Sequence, residues 1–350
     1  MATLTERQHK LLLLIVRDYI ETARPVGSKR LVERYRLSIS PAMVRNEMAA
    51  LTEMGYLRQP HISAGRVPTE DGYRLFVAHL MHQAELPEAV QQTIVHQFHQ
   101  SRPDIEQWMT LAASILARQS QAASLVTAPH PERVRFKHVE LISTQGRQVL
   151  MVLVMVGGEV SQQILTLAEP VPQERLSQTA ARLSAALSGR ALDEIMALPP
   201  RSDALEQDIS TLIIADLRRA EERVSGQIYT DGQINLLAEP EFAELGEARR
   251  ALRLLEERTL LQQVLAQAIA GSNVGGLQVL IGGEGEWEEL RQCSMVLTRY
   301  GVPGLVTGML GVLGPMRMSY ARTIPTVRFV ASVLSDLVTE IVASDEPSPS

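Results

Sequence analysis

Arg45 and Asn46 are the residues whose types and spacing first point to chemistry, and that chemistry is base reading in DNA. In the major groove, arginine pairs bidentately with a guanine edge and asparagine with an adenine edge. Ala42, Met43, Ala49 and Ala50 share their face, which is mostly small and lets a helix sit deep in a groove. Val44, Met48 and Leu51 recur at i, i+4 and i+7 and give the same helix an apolar side. Ser40 has the side chain of an N-cap, and Pro41 suits the first helical position. Gly55 suits the left-handed residue that ends a helix.

Other elements must hold such a helix in place. Thr5 to Gln8 form a capping box, followed by apolar residues Leu11, Leu12, Ile15, Val16, Tyr19 and Ile20, so a helix is predicted to about Ala23. Residues 25–27 make a turn. Ser28 is predicted to cap a short second helix with Leu31, Val32 and Tyr35 inward, and residues 37–39 are the turn before the reading helix. Tyr56-Leu57 and Arg66-Val67 read as short strands around a loop at 59–65, the pattern of a wing. Ser40, Arg58, His61, Ser63 and Arg66 are the candidate backbone contacts, and Ala42, Met43, Arg45 and Asn46 the candidate base contacts. A further helix is predicted from Tyr73 to about Ala84. Residues 1–84 therefore read as a winged helix-turn-helix domain.

Charge divides the same way. Residues 1–80 hold 12 Lys and Arg against 8 Asp and Glu, a net of +4. The whole chain carries −6, so the remainder carries about −10. A winged helix that binds only protein, with Arg45 a solvated surface residue, is the competing reading.

The 350 residues suit two or three domains. The lone Cys293 excludes a disulfide framework, fits a reducing cytoplasm and lies in an apolar run, as a buried structural thiol does. No secretory leader is expected, and the longest apolar runs, such as 149–156, are too short to span a bilayer. Residues 85–103 read as a helical linker between prolines, and a helix follows from Asp104 to about Gln121. Three strand runs come next, 135–143, 148–156 and 159–167, and a second trio lies at 277–282, 293–300 and 304–313. A final helix is predicted from Tyr320 to Val342. Six antiparallel strands with flanking helices suggest a sensor-like α+β domain in two parts, 104–169 and 248–343. Residues 170–247, with helical patterns at 172–187, 192–196 and 204–222, read as an insertion, and 344–350 as a disordered tail. The run 241–270 also reads as helical, and 227–236 as possible strand.

Other candidate sites are weak. His79 and His82, and His96 and His99, are HxxH pairs, but no further ligand is placed to complete a metal site, so solvated linker histidines are the preferred reading and no metal is expected. Gly308, Gly311 and Gly314 match no phosphate-binding pattern and read as packing glycines. The acidic run 284–289 reads as a solvated loop. Arg317 and Tyr320 either line a small-molecule pocket or fix the last strand to the last helix, and the structural role is favoured. No catalytic constellation emerges, so no enzyme and no cofactor are expected.

The motifs LTERQ at 4–8, PVGSKRL at 25–31, SPAMVRNEM at 40–48, LTEMGYL at 51–57 and QPHISAGRVPTEDGYR at 59–74 resemble those of the HrcA family of heat-inducible transcription repressors. So do NLLAEPEF at 235–242, IGGE at 281–284 and VLGPMRMSYA at 312–321. The resemblance covers nearly the whole chain. It implies a cytoplasmic homodimer that binds double-stranded DNA at the inverted-repeat CIRCE operator ahead of chaperone and chaperonin operons, with the chaperonin GroEL keeping the repressor active. It also implies a GAF-like central domain and an inserted dimerisation domain. Arg45, Asn46 and Glu47 match the family's recognition helix, and His61, Ser63, Ala64, Gly65 and Arg66 its wing. Met43 departs from a usual Thr, exchanging a hydroxyl that can touch DNA for a side chain that packs. Thr52 departs from a usual Glu and is expected on the solvent side. The alternative is a regulator whose GAF-like domain senses a small molecule.

Overall fold

The structure, a computed structural model, describes residues 4–61, 64–81, 85–102, 104–131, 133–156, 158–222, 227–243, 245–268, 273–282 and 287–345. The chain forms two compact units. The first comprises residues 1–128, 228–301 and 309–350, and the second 129–227 with 302–308.

The first unit begins with α1 (Glu6–Thr22), α2 (Ser28–Tyr35) and α3 (Pro41–Glu53). The capping box of α1 is complete, with Gln8 N donating to Thr5 Oγ at 3.3 Å and Thr5 N donating to Gln8 Oε1 at 3.0 Å. The N-cap of α2 is Gly27 rather than Ser28, which is the first helical residue and is buried. An ion-pair clamp joins α1 to α2. Asp18, fully buried, lies 3.0 Å from Arg30 and 2.7 Å from Arg34, and Arg34 also meets Glu21. Strands β1 (Leu57–Arg58) and β2 (Val67–Pro68) pair antiparallel, and Val26 adds a one-residue bridge to Arg66 through two backbone hydrogen bonds of 2.8 and 2.9 Å. Helix α4 (Glu70–Leu80) starts three residues earlier than expected because Thr69 caps it, accepting from Gly72 N at 3.3 Å.

Helices α5 (Glu88–Gln100) and α6 (Ile105–Ser120) follow, the latter capped by Asp104, and lead into β3 (Ala123–Thr127). The chain then enters the second unit. There β4 (His130–Pro131) pairs with residues 306–307, and β5 (Phe136–Ser143), β6 (Gln148–Met155) and β7 (Val160–Thr166) form an antiparallel meander. One face of the meander, including Val139, Leu141, Met151 and Leu153, shares a core with Leu183 of α7 (Gln173–Leu187), Ile195 of α8 (Leu192–Met196) and Ile213 of α9 (Ala204–Glu222).

The chain returns to the first unit with β8 (Ile228–Asp231), α10 (Gln233–Leu237), α11 (Leu245–Glu256) and α12 (Arg258–Ala268). Strands β9 (Leu277–Ile281), β10 (Cys293–Val302) and β11 (Val306–Pro315) precede α13 (Tyr320–Asp345). The sheet order is β8-β3-β11-β10-β9. β3 is its central addition and is buried at all five residues, so it has no polar alternation to announce it. A Cβ at Gly311 would lie 2.6 Å from the Val296 carbonyl, so that glycine serves strand packing.

The expected six-stranded sensor sheet is corrected here. The three early strands form their own sheet and bury their inner face against the helices of 173–222, whereas the three late strands join β3 and β8. The structural division accordingly falls at 128/129 and 227/228, not at the expected 169/170 and 247/248. The helical run expected over 241–270 is interrupted at Glu257, between α11 and α12. Residues 346–350 of the expected tail lie outside the described residues.

Two predictions test this packing. A Cβ at Gly65 would lie 2.4 Å from the Val26 carbonyl oxygen, so Gly65→Ala should lower stability by about 1–3 kcal/mol. Gly246→Ala, in open space on α11, should raise it by about 0.5–1 kcal/mol. Denaturation midpoints moving the same way for both would contradict the steric account. Asp18→Ala should cost about 1.5–3 kcal/mol, because a buried carboxylate hydrogen-bonded to a guanidinium is lost; an unchanged midpoint would show that the clamp contributes nothing.

Candidate nucleic-acid interface

Helix α3 divides cleanly. Val44, Met48 and Leu51 are buried, whereas Ala42, Met43, Arg45 and Asn46 are exposed. Ser40 caps the helix by accepting from Met43 N at 3.2 Å, and Pro41 occupies the first turn. Gly55, at φ +86°, reverses the chain into β1. The four residues expected to read bases therefore share one open face, and that face is backed by a rigid seam.

The wing residues are placed less uniformly. His61 is exposed, and its carbonyl accepts from Ala64 N at 2.9 Å. Ser63 lies outside the described residues. Arg58 is exposed on β1, and its charge acts on Tyr19. Burial first, then Glu241, raises the Tyr19 hydroxyl above its usual range, against the cations Arg58 and Arg317. The charge of Arg58 is thus felt in that cluster. Arg66 is half-buried, and its Nε donates to Thr52 Oγ at 3.0 Å. This corrects two expectations: Thr52 is not simply on the solvent side, and Arg66 spends part of its guanidinium fixing the β1–β2 hairpin to α3.

The sequence reading missed the contacts that anchor α3 to α1. Glu47 accepts from Gln8 Nε2 at 3.1 Å, and Arg7 Nη1 lies 3.6 Å from Glu47 and 3.7 Å from the Met43 sulfur. Gln8 was legible as a capping residue, but not its second bond across 39 positions. Asp18, a charge within an apolar helix, with Arg30 and Arg34 four residues apart on the next helix, was the available signal for the clamp.

The other candidates take structural places. Arg317 bonds Glu241 at 2.6 and 3.1 Å and also meets Glu239, which joins the GPMRMSYA and AEPEF segments. The Tyr320 hydroxyl lies 2.8 Å from Ser294 Oγ and 2.7 Å from the Met316 carbonyl, and burial holds its pKa well above the usual range. Tyr73 of α4 packs against it with ring centroids 6.2 Å apart. Burial pushes the Cys293 thiol up to about 12, which removes it as a nucleophile at neutral pH. His79 meets His9 edge-on, His96 bonds Gln100, and His82 lies outside the described residues. Among the described residues, no group of three or more His, Cys, Asp or Glu is arranged to hold a metal, and no helix is long and apolar enough to cross a membrane.

Comparison with known proteins places this arrangement. Residues 106–324 match the family model of the HrcA protein C terminal domain. The chain is 42% identical over 346 residues to the heat-inducible transcription repressor HrcA of Roseiflexus castenholzii, covering 97% of this chain and 95% of that protein. It is also 42% identical over 354 residues to the HrcA of Herpetosiphon aurantiacus, covering 99% of both. A solved crystal structure of a hypothetical protein superposes with a TM-score of 0.60 at 24% identity, covering 97% of this chain and 99% of that one, and supports the fold. On this match over nearly its full length, the chain belongs to the HrcA family of heat-inducible transcription repressors.

Proposed function

We propose that the chain represses heat-shock transcription by binding an inverted-repeat, CIRCE-type operator as a homodimer. The exposed face of α3 carries the reading: a short-chained surface with one Arg and one Asn, backed by a buried seam, suits a major groove. Residues 1–84 then act as a winged helix-turn-helix, with Arg45 and Asn46 on bases and Ala42 and Met43 against the groove floor. Ser40, Arg58, His61 and Ser63 meet the backbone, and Arg66 divides its donors between the backbone and Thr52. The sheet of the first unit is the GAF-like core. The protein works in the cytoplasm without a catalytic step. The chaperonin GroEL sustains its activity, a role that rests on the family resemblance.

Dimerisation has a physical candidate in the second unit. The outer face of its meander carries Ile142, Leu150, Val154, Val160 and Ile164 in cross-strand rows, and Ile164 is 67% exposed. Exposed apolar rows of this kind, here on either side of Glu140 and Gln162, mark an interaction surface. A two-fold pair of reading helices is what a two-fold operator requires.

The test is a gel shift on the inverted repeat and on a scrambled duplex. The repeat should be preferred, and added chaperonin should increase that preference. Arg45→Ala should weaken binding to the repeat by about 1–3 kcal/mol and relax base choice; an equal loss on both duplexes would remove Arg45 from base reading. Ile164→Asp should yield monomers in sedimentation and lose affinity for the repeat. A dimer that persists would place the interface elsewhere.

A further inference from the structure

The first turn of α1 sits against the edge of the reading face. The geometry assigns Arg7 as a further DNA contact, one that grips the phosphate backbone beside α3 and is held in place by Met43; this rests on the DNA-binding reading of α3. Arg7 comes from a different helix and flanks α3 on the Glu47 side. Its Nη1 lies 3.7 Å from the Met43 sulfur, and its side chain is 56% exposed. A cation flanking a helix in the major groove faces the sugar-phosphate wall rather than the base edges, and such contacts set register without reading sequence.

Of the neighbouring charges, Glu47 engages Arg7 only as a 3.6 Å ion pair to Nη1, beyond hydrogen-bond length, and its other oxygen is committed to Gln8 at 3.1 Å. Lys10, one turn further along α1, is committed to Glu6 at 2.6 Å. Arg7 therefore offers Nε and Nη2 to DNA while its Nη1 rests against the thioether.

This gives Met43 a role that its chemistry alone does not suggest. A threonine there would carry a hydroxyl donor on the exposed face of α3. Methionine has no such donor, but its length lets it reach the guanidinium arriving from α1. At this flank the phosphate donor is then supplied by Arg7 of α1 rather than by residue 43.

The experiment is salt-titrated binding of the full chain to the inverted repeat and to a scrambled duplex of equal length. Each phosphate contact contributes about 0.9 to the slope of log affinity against log salt. Arg7→Ala should reduce that slope by about 0.9 per bound protomer and lower affinity by the same factor on both duplexes. Arg7→Lys should retain the slope, and Met43→Ala should lose part of it. Unchanged melting curves would show that the variants fold. An unchanged slope for Arg7→Ala, or a loss confined to the repeat, overturns the assignment. Wild-type protein that binds neither duplex would instead sink the DNA-binding reading itself.

Discussion

The N-terminal module depends on α3 burying one side completely while leaving the other bare. Val44, Met48 and Leu51 make the buried seam, and Glu47 ties the helix flank to Gln8 of α1. A helix held at only one of these points could roll about its axis, and a roll of one position would replace Arg45 and Asn46 with other side chains. Arg66 braces the far end through Thr52, and Val26 stitches the β1–β2 hairpin to the turn between α1 and α2. The glycines of the wing motif follow from this crowding. Gly65 passes against the Val26 carbonyl and Gly72 against that of Tyr56, each at 2.4 Å from where a Cβ would stand.

The module is also seated on the sheet of the first unit. Tyr73 meets Tyr320, Gly282 leaves room for Glu70, and Tyr19 feels Glu241 and Arg317. Arg317 in turn gathers Glu239 and Glu241, so two motifs far apart in sequence form one ion-pair cluster. The residues that invited a ligand-pocket reading are taken up by other partners, Arg317 by Glu239 and Glu241 and Tyr320 by Ser294 and the Met316 carbonyl. Their contacts support the structural role preferred from the sequence.

Much of this was legible in the residues. Caps at Thr5 and Ser40, the i, i+4, i+7 seam of α3 and the turn glycine at 55 are local signals, and each element formed where they placed it. The meander was also legible, from its three strand-like runs at 135–143, 148–156 and 159–167. What the sequence could not supply was which strands share a sheet. β3 is a five-residue run buried on both faces, so it lacks the period that marks a strand. Strand partnership is set by contacts between residues 100 or more positions apart, as in the pairing of Ser124 with Asp231. The candidate site divides in the same way. The exposed face of α3 follows from periodicity, but Arg7, Glu47 and the inward turn of Arg66 depend on tertiary neighbours.

The central claim is that α3 reads the major groove, and methylation interference on the inverted repeat tests it directly. Dimethyl sulfate places a methyl on guanine N7, on the edge that an arginine engages. The account predicts that methylation of at least one guanine in each half-site blocks binding by the folded dimer, while methylation outside the half-sites does not. Binding that tolerates every major-groove methyl in both half-sites would contradict it.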